Sequence, residues 1–346
     1  MNARISAVAT ALPPHVLTQS DAKEFARAFF RDDFADIDRL LAAFDNTGIE
    51  RRHIARPIEW YGEPHTFPEK NAVYRETALE LGHDAARCAL QAAGVAPGDV
   101  GAILFVSTTG IATPSLDGRI ALRLGLPTSV ARLPIWGLGC AGGAAGLARA
   151  AAMTDSLQRP TLLVSVEICS TTFVFGDRSK SNLIATGLFG DGAAAVVLEP
   201  DGDGPRVVCG HGHLLPDSED VMGWELDPEG LRVVFARSIP QIVSEMAAGI
   251  VREAEACAEL PAGAIRRFVL HPGGTKVLAA YAETLELEEE CLRHARAVLR
   301  DCGNMSSPSV LFVLERFLQD RPPAGEPALV MGLGPGFAAE SVVLHC

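Results

Sequence analysis

No stretch of this 346-residue chain stays apolar for long enough to cross a bilayer, and no low-complexity tract or coiled-coil heptad interrupts it. The first absence argues against a membrane-spanning protein, the second against a disordered or fibrous one. Cysteine pairs at metal spacing are also missing. The eight cysteines stand at positions 88, 140, 169, 209, 257, 291, 302 and 346, with no CxxC motif, which argues against a zinc site. They read as buried reduced thiols, with Cys140 set apart by its surroundings. Basic charge is scarce: 30 Lys and Arg face 43 Asp and Glu, a net charge of −13. Duplex binding depends on a basic surface that neutralises phosphates, so a nucleic-acid partner is not expected. Three Trp and three Tyr leave little aromatic surface.

What is present is a chain 48% hydrophobic and 21% charged, the composition of a globular protein. It is long for one compact core, so two domains or two fused halves are expected. The N-terminal Ile5 to Leu12 run is apolar but short and meets Pro13-Pro14, which reads as a first strand rather than a secretion signal. A cytoplasmic location is expected.

Two parts of the chain echo one another. Residues 85 to 110 run through an Ala-rich helix, a turn at Pro97-Gly98-Asp99, an apolar strand at Ala102 to Val106 and a Thr108-Thr109-Gly110 turn. Residues 251 to 274 repeat the order: a helix, a turn at Pro261-Ala262-Gly263, a strand at Arg267 to Leu270, and His271-Pro272-Gly273-Gly274. Downstream of each, a loop opens a helix (Cys140 to Met153; Asn304 to Leu318), and two apolar strands follow: Thr161 to Val166 with Ala193 to Leu198, and Ala328 to Met331 with Ser341 to Leu344. Near-continuous apolar strands imply parallel sheets covered by helices, hence an α/β fold of two duplicated βα halves. The Gly202 to Pro205 segment marks the boundary, giving residues 1–204 and 205–346, with reactive residues gathered where the halves meet.

Three short stretches carry the chemistry: Gly137-Leu138-Gly139-Cys140-Ala141-Gly142-Gly143, Val269-Leu270-His271-Pro272-Gly273-Gly274, and Cys302-Gly303-Asn304-Met305-Ser306-Ser307-Pro308. A cysteine opening a small-residue helix gains thiolate stabilisation from the helix N-terminus, and a histidine elsewhere can complete a nucleophile pair. An asparagine amide can share an oxyanion with that histidine. The first stretch also satisfies the dinucleotide fingerprint GxGxxG, but the acidic residue about twenty positions on is absent. Its glycines read better as permitting close backbone approach.

These stretches, with Thr108-Thr109-Gly110, Leu188-Phe189-Gly190-Asp191-Gly192 and the closing Gly332-Leu333-Gly334-Pro335-Gly336 loop, resemble the type III polyketide synthases, the chalcone synthase-like family of the thiolase superfamily. The likeness runs nearly the whole length. It implies a thiolase-like αβαβα core, with Cys140 from the first half and His271 and Asn304 from the second. By that resemblance Cys140 carries the acyl group, and His271 and Asn304 form the decarboxylation pair. Phe189 guards the passage between the substrate tunnel and the cavity. The resemblance further implies a substrate surface that includes Thr108, Cys169, Thr172, Gly274, Ser306 and Pro335, and a homodimer in which Thr113 reaches the neighbouring cavity. Val233 and Trp224 fall where plant members carry a second gating phenylalanine and a cavity glycine. Trp224 either lines the cavity or packs in the core. Asp220 to Val234 is similar to bacterial members that take aliphatic starters and make alkylresorcinols or alkylpyrones.

The implied substrates are an acyl-coenzyme A starter and malonyl-coenzyme A, with no metal, flavin or nicotinamide. Arg39 matches one of the family's basic coenzyme A contacts, whereas the other two fall on Ala42 and Asn46. Arg51, Arg52, His53 and Arg56 form the densest basic cluster nearby, either a solvated face or a phosphate landing. The nearest rival is a ketoacyl synthase III-like enzyme, which uses the same three residue types but follows its histidine with Gln-Ala-Asn and its asparagine with Thr-Ser. A papain-like peptidase lacks support from the Cys140 surroundings. A non-catalytic thiolase-fold binding protein is the remaining alternative, made improbable by retention of all three reactive residues.

Overall fold

The computed structural model describes residues 1–346. Along the chain, β1 (Arg4–Ala11), β2 (His15–Thr18), α1 (Gln19–Phe30), α2 (Ile37–Asp45) and β3 (Arg51–Ile54) precede the long α3 (Phe67–Ala93). There follow β4 (Ala102–Val106), α4 (Leu116–Leu124), β5 (Ala131–Ile135), α5 (Gly142–Leu157), β6 (Thr161–Ile168), α6 (Lys180–Leu188) and β7 (Asp191–Glu199). The remainder is β8 (Arg206–Leu214), β9 (Met222–Asp227), β10 (Gly230–Phe235), α7 (Ile239–Cys257), β11 (Arg267–Leu270), α8 (Thr275–Thr284), α9 (Glu289–Cys302), α10 (Pro308–Gln319), β12 (Pro327–Gly334) and β13 (Ala338–His345).

Nine strands join in the order β11-β12-β13-β8-β1-β7-β6-β4-β5. The join between β8 and β1 is a single pair, Arg4 with Arg206, so the sheet consists of two parts that meet at that point. Each part repeats the other. In the first, β4 and β6 run parallel and β7 and β1 follow antiparallel. In the second, β11 and β12 run parallel and β13 and β8 follow antiparallel. The expectation of parallel sheets therefore holds only for β5-β4-β6 and β11-β12. Strands β7 and β13 are buried on both faces, which gives antiparallel strands the unbroken apolar character of parallel ones.

Helices α5 and α10 lie between the two sheet parts, α3 and α4 cover one outer face, and α7 and α9 cover the other. This is the five-layer thiolase-like arrangement. The small residues at the start of α5 make the centre possible. A Cβ on Gly143 would stand 2.3 Å from the Ser307 carbonyl oxygen, and one on Gly146 2.8 Å from Leu163. Any larger residue would push α5 away from α10 and β6. No helix is long and apolar enough to cross a membrane.

Candidate active site

Cys140 sits in a one-turn 3-10 segment, Gly139–Ala141, that leads directly into α5. The turn is held from two sides. The Gly139 N–H donates to Thr108 Oγ1 at 3.1 Å, and Pro335 packs so closely on Gly139 that a Cβ there would lie 2.7 Å from its ring. Gly139 takes a positive φ of 46°, a conformation open to glycine at little cost. His271 follows the last residue of β11, its N–H donating to Met331 O at 2.9 Å. Asn304 lies between α9 and α10, four residues ahead of Pro308, so the loop and not the helix presents it.

The three side chains line one cavity of about 610 Å³. The Cys140 thiol donates toward Asn304 Oδ1 at 3.9 Å. Asn304 Oδ1 also accepts the Ser306 N–H at 2.7 Å, and Asn304 Nδ2 donates to Gly273 O at 3.3 Å. One amide hydrogen is left for the cavity. Neither ring nitrogen of His271 has a hydrogen-bond partner. The expected thiol–imidazole hydrogen bond is thus absent, and the thiol faces the amide instead. Burial pushes the thiol up to about 11, partly offset by hydrogen bonds from Ser306 and Asn304. Burial alone pushes His271 down to about 3. Each group is neutral when the other is neutral, because a lone charge in this dry pocket is costly.

Beneath these residues lies a carboxylate that motif reading did not single out. Glu167 on β6 is fully buried. Its Oε2 accepts from the Thr108 and Thr109 backbone N–H groups, both at 2.9 Å, and from Thr109 Oγ1 at 2.8 Å. Its Oε1 accepts from Ser307 Oγ at 2.9 Å. One side chain therefore ties the loop that props Gly139 to the loop that carries Asn304. Burial raises its carboxyl to about 7 despite those donors. The signal was available: Glu167 is the one charged residue in the strand Thr161 to Ile168.

Other expected site residues distribute around this centre. Gly274 lines the large cavity at the N-terminus of α8. Thr108 and Ser306 are buried against the Cys140 and Asn304 loops, and Pro335 packs on Gly139. Phe189, Val233, Cys169 and Thr172 line a second, small cavity of about 50 Å³ rather than the one holding Cys140. Phe189 lines the small cavity only. Its ring lies 5.5 Å from that of Phe235, which lines the large cavity, and 6.0 Å from that of Trp224. Trp224 is the cross-strand partner of Val233 in the β9–β10 hairpin. It backs Phe189 and lines neither cavity. Thr113 is exposed, beside a cis Thr113-Pro114 bond.

The basic cluster disperses. Arg39 projects from α2 with its side chain 80% exposed, paired with Asp36 at 2.8 Å and outside the cavity lining. Strand alternation in β3 turns Arg51 toward Asp301 at 3.5 Å and buries Arg52 completely, where it donates to Thr186 O at 3.0 Å. Arg56 pairs with Glu76 at 2.5 Å. These side chains do not converge on one point. All eight cysteines are free.

A duplicated five-layer fold that brings cysteine, histidine and asparagine to one buried cavity defines a thiolase-type condensing enzyme. The chain matches the chalcone and stilbene synthases, N-terminal domain over residues 1–202 and C-terminal domain over residues 206–346. It is 41% identical to the 1,3,6,8-tetrahydroxynaphthalene synthase of Streptomyces peucetius subsp. caesius, across 99% of this chain and 92% of that one. It is 29% identical to the phloroglucinol synthase of Pseudomonas fluorescens, across 96% and 95%. The crystal structure of the bacterial type III polyketide synthase that makes 1,3,6,8-tetrahydroxynaphthalene in Streptomyces coelicolor A3(2) superposes with a TM-score of 0.94 at 29% identity, covering 99% of each chain. The chain belongs to the chalcone and stilbene synthase family, the type III polyketide synthases. It is an acyltransferase that performs decarboxylative Claisen condensation, and the family acts on coenzyme A thioesters without a metal.

Proposed function

We propose that Cys140 carries the growing acyl chain while His271 and Asn304 receive the charge released by decarboxylation. The observation that carries this reading is the convergence of the three side chains, from separate loops, on one cavity. The Cys140 proton passes to the unpartnered ring of His271, so that the charges form together as a neutral pair that burial penalises far less than either alone. The sulfur attacks the starter thioester and coenzyme A leaves as its thiol. Malonyl-coenzyme A then loses carbon dioxide, and the enolate oxygen takes hydrogen bonds from His271 and the free Asn304 amide hydrogen. The enolate carbon attacks the Cys140 thioester, expelling the thiolate and lengthening the chain by two carbons. The Cys140 thiolate then takes the lengthened chain back from its coenzyme A thioester, releasing coenzyme A, and repetition followed by ring closure gives a resorcinol or a pyrone.

The starter in this reading is an aliphatic acyl-coenzyme A. Support comes from the apolar residues of the cavity that holds Cys140, among them Leu188, Met222, Phe235, Ile239 and Val277, against which a hydrocarbon chain can pack. A second reading is malonyl-coenzyme A as its own starter. It is favoured by the 41% identical relative, whose named product carries hydroxyls on alternate carbons and no alkyl chain. Mass spectrometry of products from malonyl-coenzyme A alone, and with a ladder of acyl-coenzyme A starters, separates them. Incorporation of the acyl chain supports the first reading, and an identical product with and without acyl starters supports the second.

Each chain consists of two thiolase-like halves, residues 1–204 and 205–346, and two copies of the chain form a homodimer in this account. Strand β5 ends the sheet as an unpaired edge that exposes Leu133, and Trp136 next to it is 58% exposed. Exposed apolar side chains at a sheet edge offer a surface to another chain. The Trp136 indole N–H donates to Gly110 O at 3.2 Å, which holds the Ile111 to Thr113 loop beside that edge.

A further inference from the structure

The large cavity has a polarity that the composition of the chain does not suggest. The protein carries thirteen more acidic than basic side chains, yet the 23 residues lining this cavity include no aspartate or glutamate. Arg237 and Lys276 are its only charged residues, and both are exposed. Neither is engaged by a carboxylate or a carbonyl of the protein. Arg237 lies two residues before α7, and Lys276 is the second residue of α8, a helix packed against α7. Ile239, Pro240, Gly274 and Thr275 continue the wall between them. Helix α2 contributes Ala43 and Phe44, and the residue that ends it Asn46, to another part of the wall, with no charge.

We propose that Arg237 and Lys276 hold the phosphates of the coenzyme A thioesters, and that α2 does not. The proposal rests on the polyketide synthase reading and assigns the part of the site that reading leaves open. The thioester end of the substrate must reach Cys140, His271 and Asn304, which are all buried. Its anionic end then lies at the exposed mouth, where these two cations stand. A guanidinium takes phosphate oxygens in a fork and an ammonium serves as a point charge. Being free of internal partners, neither must break an ion pair to bind.

The test uses two malonyl thioesters, malonyl-coenzyme A and the phosphate-free malonyl-N-acetylcysteamine. Arg237→Ala and Lys276→Ala should each raise KM for malonyl-coenzyme A by about three- to tenfold, in keeping with partly exposed charge pairs. The double variant should raise it by about thirtyfold with kcat nearly unchanged, because the two contacts are independent. KM for the phosphate-free thioester should stay at the wild-type value, and added salt should narrow the gap between wild type and double variant. Arg39→Ala should behave as wild type. Calorimetry of free coenzyme A binding should show the same loss of affinity without requiring turnover, so an inactive wild type would sink the polyketide reading and leave this one standing. A double variant that binds coenzyme A like wild type overturns the proposal. So does an equal rise in KM for both thioesters, which would assign the residues to the shape of the wall, and so does a KM effect confined to Arg39→Ala.

Discussion

Phe189 and Asn304 are joined through their backbones. The Asn304 N–H donates to Leu188 O at 2.9 Å, and the Gly190 N–H donates to Asn304 O at 3.0 Å, a short parallel bridge outside the main sheet. A residue that lines the small cavity and one that lines the large cavity are therefore fixed to one another. Gly190 permits the approach, since a Cβ there would lie 2.3 Å from Cys302 O.

The bridge makes a prediction about division of labour. Gly190→Ala should displace Asn304 and reproduce the effect of Asn304→Ala: malonyl decarboxylation falls by about two orders of magnitude, the usual effect of losing one oxyanion donor, while starter loading on Cys140 persists. Carbon dioxide release and acyl-enzyme formation, measured side by side, check it. Loading lost in step with decarboxylation would show that Asn304 serves the cysteine as much as the enolate.

Glu167 and Asp191 predict a pH dependence of stability. Both are fully buried, and burial raises each to about 7 in the folded protein. The unfolded chain releases these protons near pH 4 to 4.5, so between there and pH 7 the folded state binds more protons. The stability they contribute is complete below about pH 4 and is lost as pH rises through 7. The melting temperature should fall from pH 5 to pH 8, and Glu167→Gln, which keeps an acceptor for Thr108 and Thr109, should shrink that fall. An undiminished fall in the variant would show that Glu167 is charged throughout the range.

Much of this was legible beforehand. Strands β4 and β11 lie at Ala102–Val106 and Arg267–Leu270, where bounded apolar runs had placed them. Strand direction was not legible, because β7 and β13 are buried on both faces and lose the alternation that marks an antiparallel strand. Local charge density left a solvated face and a phosphate landing both open for a related reason. Arg51, Arg52 and Arg56 are neighbours in sequence, but the pleat of β3 sends them to separate partners. The two cations that do face the cavity, Arg237 and Lys276, are 39 residues apart and meet only because α7 packs on α8. The missing thiol–imidazole hydrogen bond was not legible, because it depends on side-chain direction, which motif spacing does not encode.

The exposed edge of β5 predicts the assembly. Leu133→Lys with Trp136→Lys should shift the protein from dimer to monomer in sedimentation at micromolar concentration, because every new charge at that edge is then of one sign. A dimer that survives both substitutions would place the interface elsewhere.

Trp224 predicts product choice at one remove. The indole supports Phe189 from behind, so Trp224→Gly should loosen Phe189 and join the two cavities. Longer or additional products should appear, together with a loss of stability of the order seen for a truncated core aromatic, about 3 to 5 kcal/mol if it were fully buried and less at this half-buried site. Product profiling and thermal melting decide it together. A collapsed melting temperature with an unchanged product spectrum would leave Trp224 a purely structural residue.

The central claim is that Cys140 carries the acyl group, and trapping that intermediate tests it most directly. Enzyme mixed with an acyl-coenzyme A starter in the absence of malonyl-coenzyme A should gain one acyl mass by intact-protein mass spectrometry, and peptide mapping should place it on Cys140. Cys140→Ser should remain folded, gain no acyl mass and make no product. An acyl group found on any of the other seven cysteines, with Cys140→Ser still condensing, would contradict the account.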